Sequence, residues 1–300
     1  MTKTAWVFPG QGSQAIGMGI DLLDLSAAKV KFQQAEEILG WSISEICQGE
    51  EEKLSRTLYT QPCLYVVESI LVDLMRQQGR QPDLVAGHSL GEYVALYAAG
   101  VFDFESGLRL VKQRAELMAR VTGGMMIAVM GFNREKLENA IAQSPDVVLA
   151  NDNSDGQVVI SGTPAATQAV IAQLKPKRSV ILNVSGAFHS PFMATAAAEY
   201  EKLLASVPFA DAQVPVLSNV EPLPAVNADV LKEQIKRQMT GSVRWREICQ
   251  QLPVENISKV VEVGPGKVLT GLIKRSHPDI KLENVSNAAD LQLATSYAAN

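Results

Sequence analysis

Ser89 lies in Gly87-His88-Ser89-Leu90-Gly91. This is a G-x-S-x-G pattern, whose glycines allow a sharp strand-to-helix turn that presents a serine hydroxyl. The chemistry it permits is acyl transfer through a serine ester, although a glycine-rich turn without chemistry can carry the same letters. A serine hydroxyl becomes a nucleophile only when a neighbouring base takes its proton. The chain has 3 histidines. His88 adjoins Ser89, so the turn directs its ring elsewhere, to a ligand or a structural contact. His277 sits in a charged run, Lys274-Arg275-Ser276-His277-Pro278-Asp279, that reads as an exposed helix end. His189 precedes Ser190, which can cap a helix whose first position is Pro191. Site residues of α/β proteins gather at such junctions, and by elimination His189 is the candidate base.

An acyl-enzyme also needs donors for its oxyanion. One is the backbone N–H of Leu90, and the other should come from a loop after an earlier strand. Pro9-Gly10-Gln11-Gly12-Ser13-Gln14 follows the first apolar segment and fits that place. Ala15 spoils a G-x-G-x-x-G reading, and Gly264-Pro265-Gly266-Lys267 lacks the spacing of a phosphate loop.

Arg114 is the other informative side chain. At roughly 100° per residue, a helix over residues 104–120 places Phe104, Leu108, Leu110, Val111, Ala115, Leu117 and Met118 on one broad arc. Arg109, Lys112, Glu116 and Arg120 take the opposite side, and Arg114 alone falls among the apolar residues. A cation there is costly unless it is paired or meets a ligand. Two readings stand: a snorkelling or internally paired arginine, or a planar fork that grips a substrate carboxylate.

The elements that must position these residues are legible in outline. Residues 4–8, 83–87, 214–218 and 260–263 read as buried strands, with helical runs between them, so a parallel sheet covered on both faces is expected. Strand-like residues 83–87 run through Ser89 directly into a helix over 91–99. Residues 124–189 follow a different order, β-α-β-β-α-β, with strands at 125–130, 147–150, 157–161 and 179–184. Turn-rich residues 151–156 separate its middle strands, and the tail beyond Asn287 is expected to be loosely held.

Bulk properties narrow the class. Three hundred residues with 47% hydrophobic content can bury a sizeable core. A net charge of −5 speaks against general nucleic-acid binding. Cys47, Cys63 and Cys249 are far apart, so neither a disulfide framework nor a zinc site is expected. No apolar run reaches the length of a membrane span, and a soluble cytoplasmic protein is expected.

Six motifs occur in order: PGQGSQ at 9–14, TQP at 60–62, GHSLGEY at 87–93, QRAELM at 113–118, FHSP at 188–191 and EVGPGKVLTGL at 262–272. Together they resemble the malonyl-CoA:acyl carrier protein transacylases of bacterial fatty acid synthesis, over nearly the whole chain. The resemblance implies an α/β fold: an α/β-hydrolase-like body of residues 1–123 and 190–300 with an inserted ferredoxin-like subdomain at 124–189. It implies that Ser89 attacks the thioester of malonyl-CoA with His189 as general base, and that the N–H groups of Gln11 and Leu90 form the oxyanion hole. Arg114 would hold the malonyl carboxylate with Gln61 nearby, and Met118 and Phe188 would line the acyl site. Phe188 would also crowd a branched acyl group, favouring malonyl over methylmalonyl. The phosphopantetheine thiol of holo-acyl carrier protein would then take the acyl group in ping-pong order.

By the same resemblance no acidic third member is present; no metal and no cofactor is expected, and a monomer is expected. A backbone carbonyl near Val243-Arg244-Trp245 would orient the histidine. A serine esterase or thioesterase is the alternative, with Asp103, Asp146, Asp152 or Asp155 as its acid; a non-catalytic carrier-binding module is a third. Docking of an acidic carrier protein would need a local basic surface, for which Lys232, Lys236, Arg237, Lys267, Lys274 and Arg275 are candidates.

Overall fold

Alternating burial along the first strand already defines two layers. In β1 (Lys3–Phe8) Trp6 and Phe8 face one apolar cluster, while Ala5 and Val7 face another. That is the period-2 alternation of a strand packed on both sides. The computed structural model describes residues 3–292. After β1, helices α1 (Ser26–Leu39), α2 (Ile43–Gln48), α3 (Glu51–Leu54) and α4 (Thr57–Gln77) lead to β2 (Leu84–Gly87). Then come α5 (Gly91–Ala98) and α6 (Phe104–Arg120). The next stretch holds β3 (Met125–Met130), α7 (Arg134–Ala142), β4 (Val147–Ser154), β5 (Gln157–Gly162), α8 (Pro164–Leu174) and β6 (Arg178–Ile181). The chain continues through α9 (Ala194–Ser206), β7 (Val216–Leu217), α10 (Ala228–Gln238), α11 (Trp245–Val254), β8 (Ile257–Val263), α12 (Val268–Ser276) and β9 (Lys281–Val285).

Strands β7-β2-β1-β8-β9 form one sheet in which every pairing is parallel. Helices cover both faces, α4 and α5 on the side of Trp6 and Phe8, α11 and α12 on the side of Ala5 and Val7. A separate antiparallel sheet runs β4-β5-β3-β6, with α7 and α8 packed on one of its faces. The fold is thus α/β, with a parallel sheet and a second antiparallel one.

Four local expectations give way. Strand β4 runs on to Ser154, leaving only Asp155-Gly156 as the turn. The turn-forming residues are held extended by partners elsewhere: Asn153 meets His88, Asp152 is paired with Arg134 and Arg246, and the chain bridges Val243. Strand β6 stops at Ile181, and β7 is confined to Val216–Leu217. Beyond Asn287, residues 288–292 are helical and attached: the Ala288 N–H donates to Asp21 at 2.6 Å and Leu291 is buried. Residues 293–300 lie outside the described ones.

Candidate active site

The G-x-S-x-G glycines are required by packing. A Cβ on Gly87 would stand 1.9 Å from the Gly91 carbonyl carbon, and one on Gly91 would stand 2.0 Å from the Phe8 oxygen. Strand β1 and the start of α5 therefore approach more closely than any side chain allows. Between them Ser89 adopts φ 53°, a left-handed conformation that costs a serine about 1–3 kcal/mol. Asn219, just after β7, holds the turn from both sides. Its Oδ1 accepts the Ser89 N–H at 2.7 Å and its Nδ2 donates to the Gly87 carbonyl at 2.6 Å.

His189 arrives from the segment before α9, also at positive φ (55°). Its Nε2 lies 2.8 Å from Ser89 Oγ. Its Nδ1 faces the carbonyl oxygens of Gln238 at 3.1 Å and Gly241 at 3.2 Å. Two acceptors at Nδ1 assign the proton there and leave Nε2 as the acceptor for the serine proton. Gln238 is the last residue of α10, where carbonyls lack helical partners and carry the negative end of the helix dipole. These carbonyls take the place an acid holds in a hydrolase triad.

One of the orienting carbonyls, that of Gly241, lies two residues before Val243-Arg244-Trp245, and the other is that of Gln238. Val243 spends its backbone on β4, donating to Ala150 O and accepting from Asp152 N. Arg244 pairs with Glu247, and Trp245 packs near the His88 ring. None of the four aspartates offered as a triad acid reaches His189. Asp103 caps α6, Asp152 is ion-paired with Arg134 and Arg246, Asp155 is 86% exposed, and the Asp146 backbone receives the Thr163 N–H.

Burial, and after it the Arg114 charge, press the His189 imidazole from its ordinary value down to about 3. It stays neutral at physiological pH and is free to accept a proton. His88 makes a structural contact, with Nε2 2.8 Å from Asn153 Oδ1 on β4. It ties the nucleophile turn to the second sheet. His277 caps the C-terminal end of α12, away from this cluster.

Arg114 is 1% exposed, which excludes snorkelling. No carboxylate lies within 4.0 Å of it among the described residues, which excludes an ion pair. Its guanidinium donates instead to neutral oxygens: Gln61 Oε1 at 2.6 Å, Gln238 Oε1 at 3.0 Å and Ser89 Oγ at 3.0 Å. The face of Tyr93 lies 5.4 Å away. A buried cation that touches no carboxylate and stands beside a nucleophile is arranged to receive one.

Ser89, His189 and Arg114 line a cavity of about 80 Å³ with Gln11, Gln61 and Leu90, walled on its apolar side by Met118 and Phe188. A Cβ on Gly10 would come within 2.3 Å of His88 O, so the Gln11 loop lies directly on the nucleophile turn. Neither the Gln11 nor the Leu90 N–H has a hydrogen-bond acceptor among the described residues. The Gln11 and Gln61 side chains are joined by Thr57. Its Oγ1 donates to Gln11 Oε1 at 2.7 Å and accepts from Gln61 Nε2 at 2.8 Å. Gln61 Nε2 also lies 3.3 Å from Met118 Sδ.

Sequence reasoning missed Thr57, Asn219, Gln238 and Glu92. Glu92 carried a usable signal, because it is the one charge in the apolar helix GEYVALYA. The other three are uncharged and announce nothing.

Of the six basic candidates, three are already engaged. Lys236 pairs with Glu201 and Glu233, Arg237 pairs with Glu221, and Lys232 binds the carbonyls of Ala205 and Val207. Lys267, Lys274 and Arg275 are exposed and have no ion pair among the described residues. Lys267 and Arg275 line a cleft of about 360 Å³ that shares Gln11 and His88 with the Ser89 cavity. The described residues hold no cluster of three or more metal-ligating side chains, and no helix long and apolar enough to cross a membrane.

Residues 5–298 match the family described as the acyl transferase domain. The chain is 60% identical over 289 residues to the malonyl CoA-acyl carrier protein transacylase of Synechocystis sp., covering 96% of this chain and 99% of that one. It is 43% identical over 282 residues to a polyketide biosynthesis malonyl CoA-acyl carrier protein transacylase of Bacillus subtilis, covering 91% and 97%. Among solved structures, the Synechocystis malonyl-CoA:ACP transacylase superposes with a TM-score of 0.96 over 97% of this chain and 100% of that one. A malonyl-transacylase in complex with its type II polyketide acyl carrier protein superposes at 0.94 with 34% identity, covering 99% and 100%.

Proposed function

The chain belongs to the acyl transferase family, and from that premise we propose that it moves a malonyl group from malonyl-CoA to the phosphopantetheine thiol of acyl carrier protein. The malonyl carboxylate enters the cavity and meets Arg114, which brings the thioester carbonyl to Ser89. Ser89 Oγ attacks that carbonyl as its proton passes to His189 Nε2, and the Gln238 and Gly241 carbonyls at Nδ1 stabilise the imidazolium. The oxyanion falls between the N–H groups of Gln11 and Leu90. Collapse breaks the carbon–sulfur bond, the CoA thiolate takes the proton from His189, and malonyl remains as an ester on Ser89. The carrier's thiol then attacks this ester by the same steps in reverse order. Gln61 fixes Arg114, and Met118 and Phe188 form the wall against the acyl α-carbon.

The observation that carries the reading is Arg114, buried without a carboxylate partner and 3.0 Å from the nucleophile. An ordinary esterase has no use for such a cation. No cofactor enters this scheme, and the protein acts as a cytoplasmic monomer. Some relatives are named for polyketide biosynthesis and others simply as malonyl CoA-acyl carrier protein transacylases, so the destination of the malonyl group is left to the carrier protein supplied. Mass spectrometry after exposure to malonyl-CoA should find a malonyl adduct, absent from Ser89→Ala, that is discharged by holo-acyl carrier protein. Release of free malonate with none on the carrier would replace the proposal with a thioesterase.

A further inference from the structure

Ser89, His189 and Arg114 come from three different segments, and one buried carboxylate joins their supports. Glu92 is 1% exposed in the first turn of α5, three residues after the nucleophile. Its Oε2 accepts from Gln238 Nε2 at 2.8 Å and from the Asn219 backbone N–H at 3.2 Å. Asn219 in turn brackets the nucleophile turn through Ser89 N and Gly87 O. Gln238 touches all three functional groups. Its backbone oxygen faces His189 Nδ1, its Oε1 accepts from Arg114, and its Nε2 donates to Ser89 O at 2.8 Å.

The direction of the Gln238 amide follows from its two charged neighbours. Its NH₂ end lies against the Glu92 carboxylate and its oxygen against the Arg114 guanidinium. Turned over, it would set oxygen against carboxylate and N–H against guanidinium, two repulsive contacts among fully buried groups, where screening is weak. We propose that Glu92 is a positioning residue. By accepting from Gln238 and Asn219 it fixes the amide that aims Arg114, the carbonyl that orients His189 and the turn that carries Ser89. It also stands one side chain away from Arg114, so the guanidinium has an anion behind it and keeps its near donors for the incoming carboxylate. The part concerning Arg114 rests on the malonyl reading; the part concerning Ser89 and His189 does not.

Glu92→Leu removes the acceptor and Glu92→Gln keeps one. The rates to compare are malonyl transfer and the labelling of Ser89 by a small neutral sulfonyl fluoride, which needs Ser89 and His189 but no cation. Glu92→Leu should lower both at least tenfold, the scale of one lost hydrogen bond to a charged group. Glu92→Gln should restore both to within about threefold of the unaltered enzyme. Because Glu92 acts in part through Gln238, adding Glu92→Leu to Gln238→Leu should slow labelling by less than Glu92→Leu does alone, the remainder passing through Asn219. Unchanged rates in Glu92→Leu, equal loss in Glu92→Gln, or additive losses in the double variant would each overturn the proposal. Glu92→Gln and the double variant keep the test decisive if Glu92→Leu folds poorly. Sulfonyl labelling that responds to Glu92 in an enzyme unable to transfer malonyl would strike the functional reading alone.

Discussion

Replacing Arg114 by methionine separates recognition of the carboxylate from the chemistry at Ser89. In the free protein the guanidinium is held by three neutral oxygens, and its buried Nε has no partner. Removing one member of a buried charge pair costs about 3–5 kcal/mol. At 1.36 kcal/mol per decade, kcat/KM for malonyl-CoA should fall by roughly 10²- to 10⁴-fold. Acetyl-CoA lacks the carboxylate, so its kcat/KM should stay level or rise, and the ratio of the two rates carries the whole effect. Stability moves less, because two consequences oppose one another. Methionine removes the cost of an unpaired buried cation, while Gln61 and Gln238 lose a donor, worth about 1–3 kcal/mol for each buried acceptor left alone. The unfolding midpoint should therefore shift by only a few degrees. Initial rates with both thioesters, together with a thermal scan, provide the assay. If malonyl and acetyl rates fell by the same factor, Arg114 would be a scaffold for Ser89 and the carboxylate argument would fail.

Phe188 is 4% exposed and walls the acyl cavity beside Met118. Phe188→Ser should raise kcat/KM for methylmalonyl-CoA relative to malonyl-CoA, and an unchanged ratio would show that the ring does not set selectivity. The His189 and His88 imidazoles are both held below their ordinary value by burial. The unfolded chain therefore binds protons that the folded one refuses, so stability is fully present above about pH 6.5 and is lost as pH falls toward 3. Thermal unfolding should follow that slope, and His189→Gln should flatten it; a pH-independent midpoint between 4 and 6.5 would contradict the shift. Charge reversal of Lys274 and Arg275, two of the exposed cations without an ion pair, should raise KM for carrier protein more than KM for malonyl-CoA. Equal effects on both would place docking elsewhere. Malonyl-enzyme prepared without carrier protein should lose its acyl group to pantetheine far faster than to water, as quenched-flow sampling of the Ser89 adduct can measure.

The site was legible where charge or stereochemistry breaks a pattern. Arg114 among leucines, glycines on both sides of Ser89, and Ser190-Pro191 after His189 each violate what a plain helix or loop would contain. Those violations survive as a buried cation, as close backbone approaches and as a capped turn whose histidine sits at positive φ. The parallel sheet was legible for a related reason, since its strands are buried on both faces and read as short apolar runs. Asn219, Gln238 and Thr57 were not, because a buried amide or hydroxyl is identified by its partners, and most of those lie tens to hundreds of residues away in sequence. The length of β4 was hidden in the same way. Its Asn-Asp-Asn segment prefers turns locally and becomes a strand only because His88, Arg134, Arg246 and Val243 satisfy it.

The expected preference for a thiol over water follows from what stands behind His189. A hydrolase must deprotonate water, whose pKa is about 15.7, whereas a pantetheine thiol titrates near 8.5. His189 is buried, faces carbonyls rather than a carboxylate, and is held to about 3. It is a weak base, matched far better to the thiol. Ser89 is as reluctant an acid as water, but it has help that an attacking water lacks: its Oγ is already held 2.8 Å from His189 Nε2 and 3.0 Å from the Arg114 guanidinium. A water must be captured and oriented without that fixed position, whereas a thiol ionises readily enough to react without it. Discrimination against water therefore rests on the acidity of the second nucleophile, set against a weak base, and not on the cation that selects the acyl group.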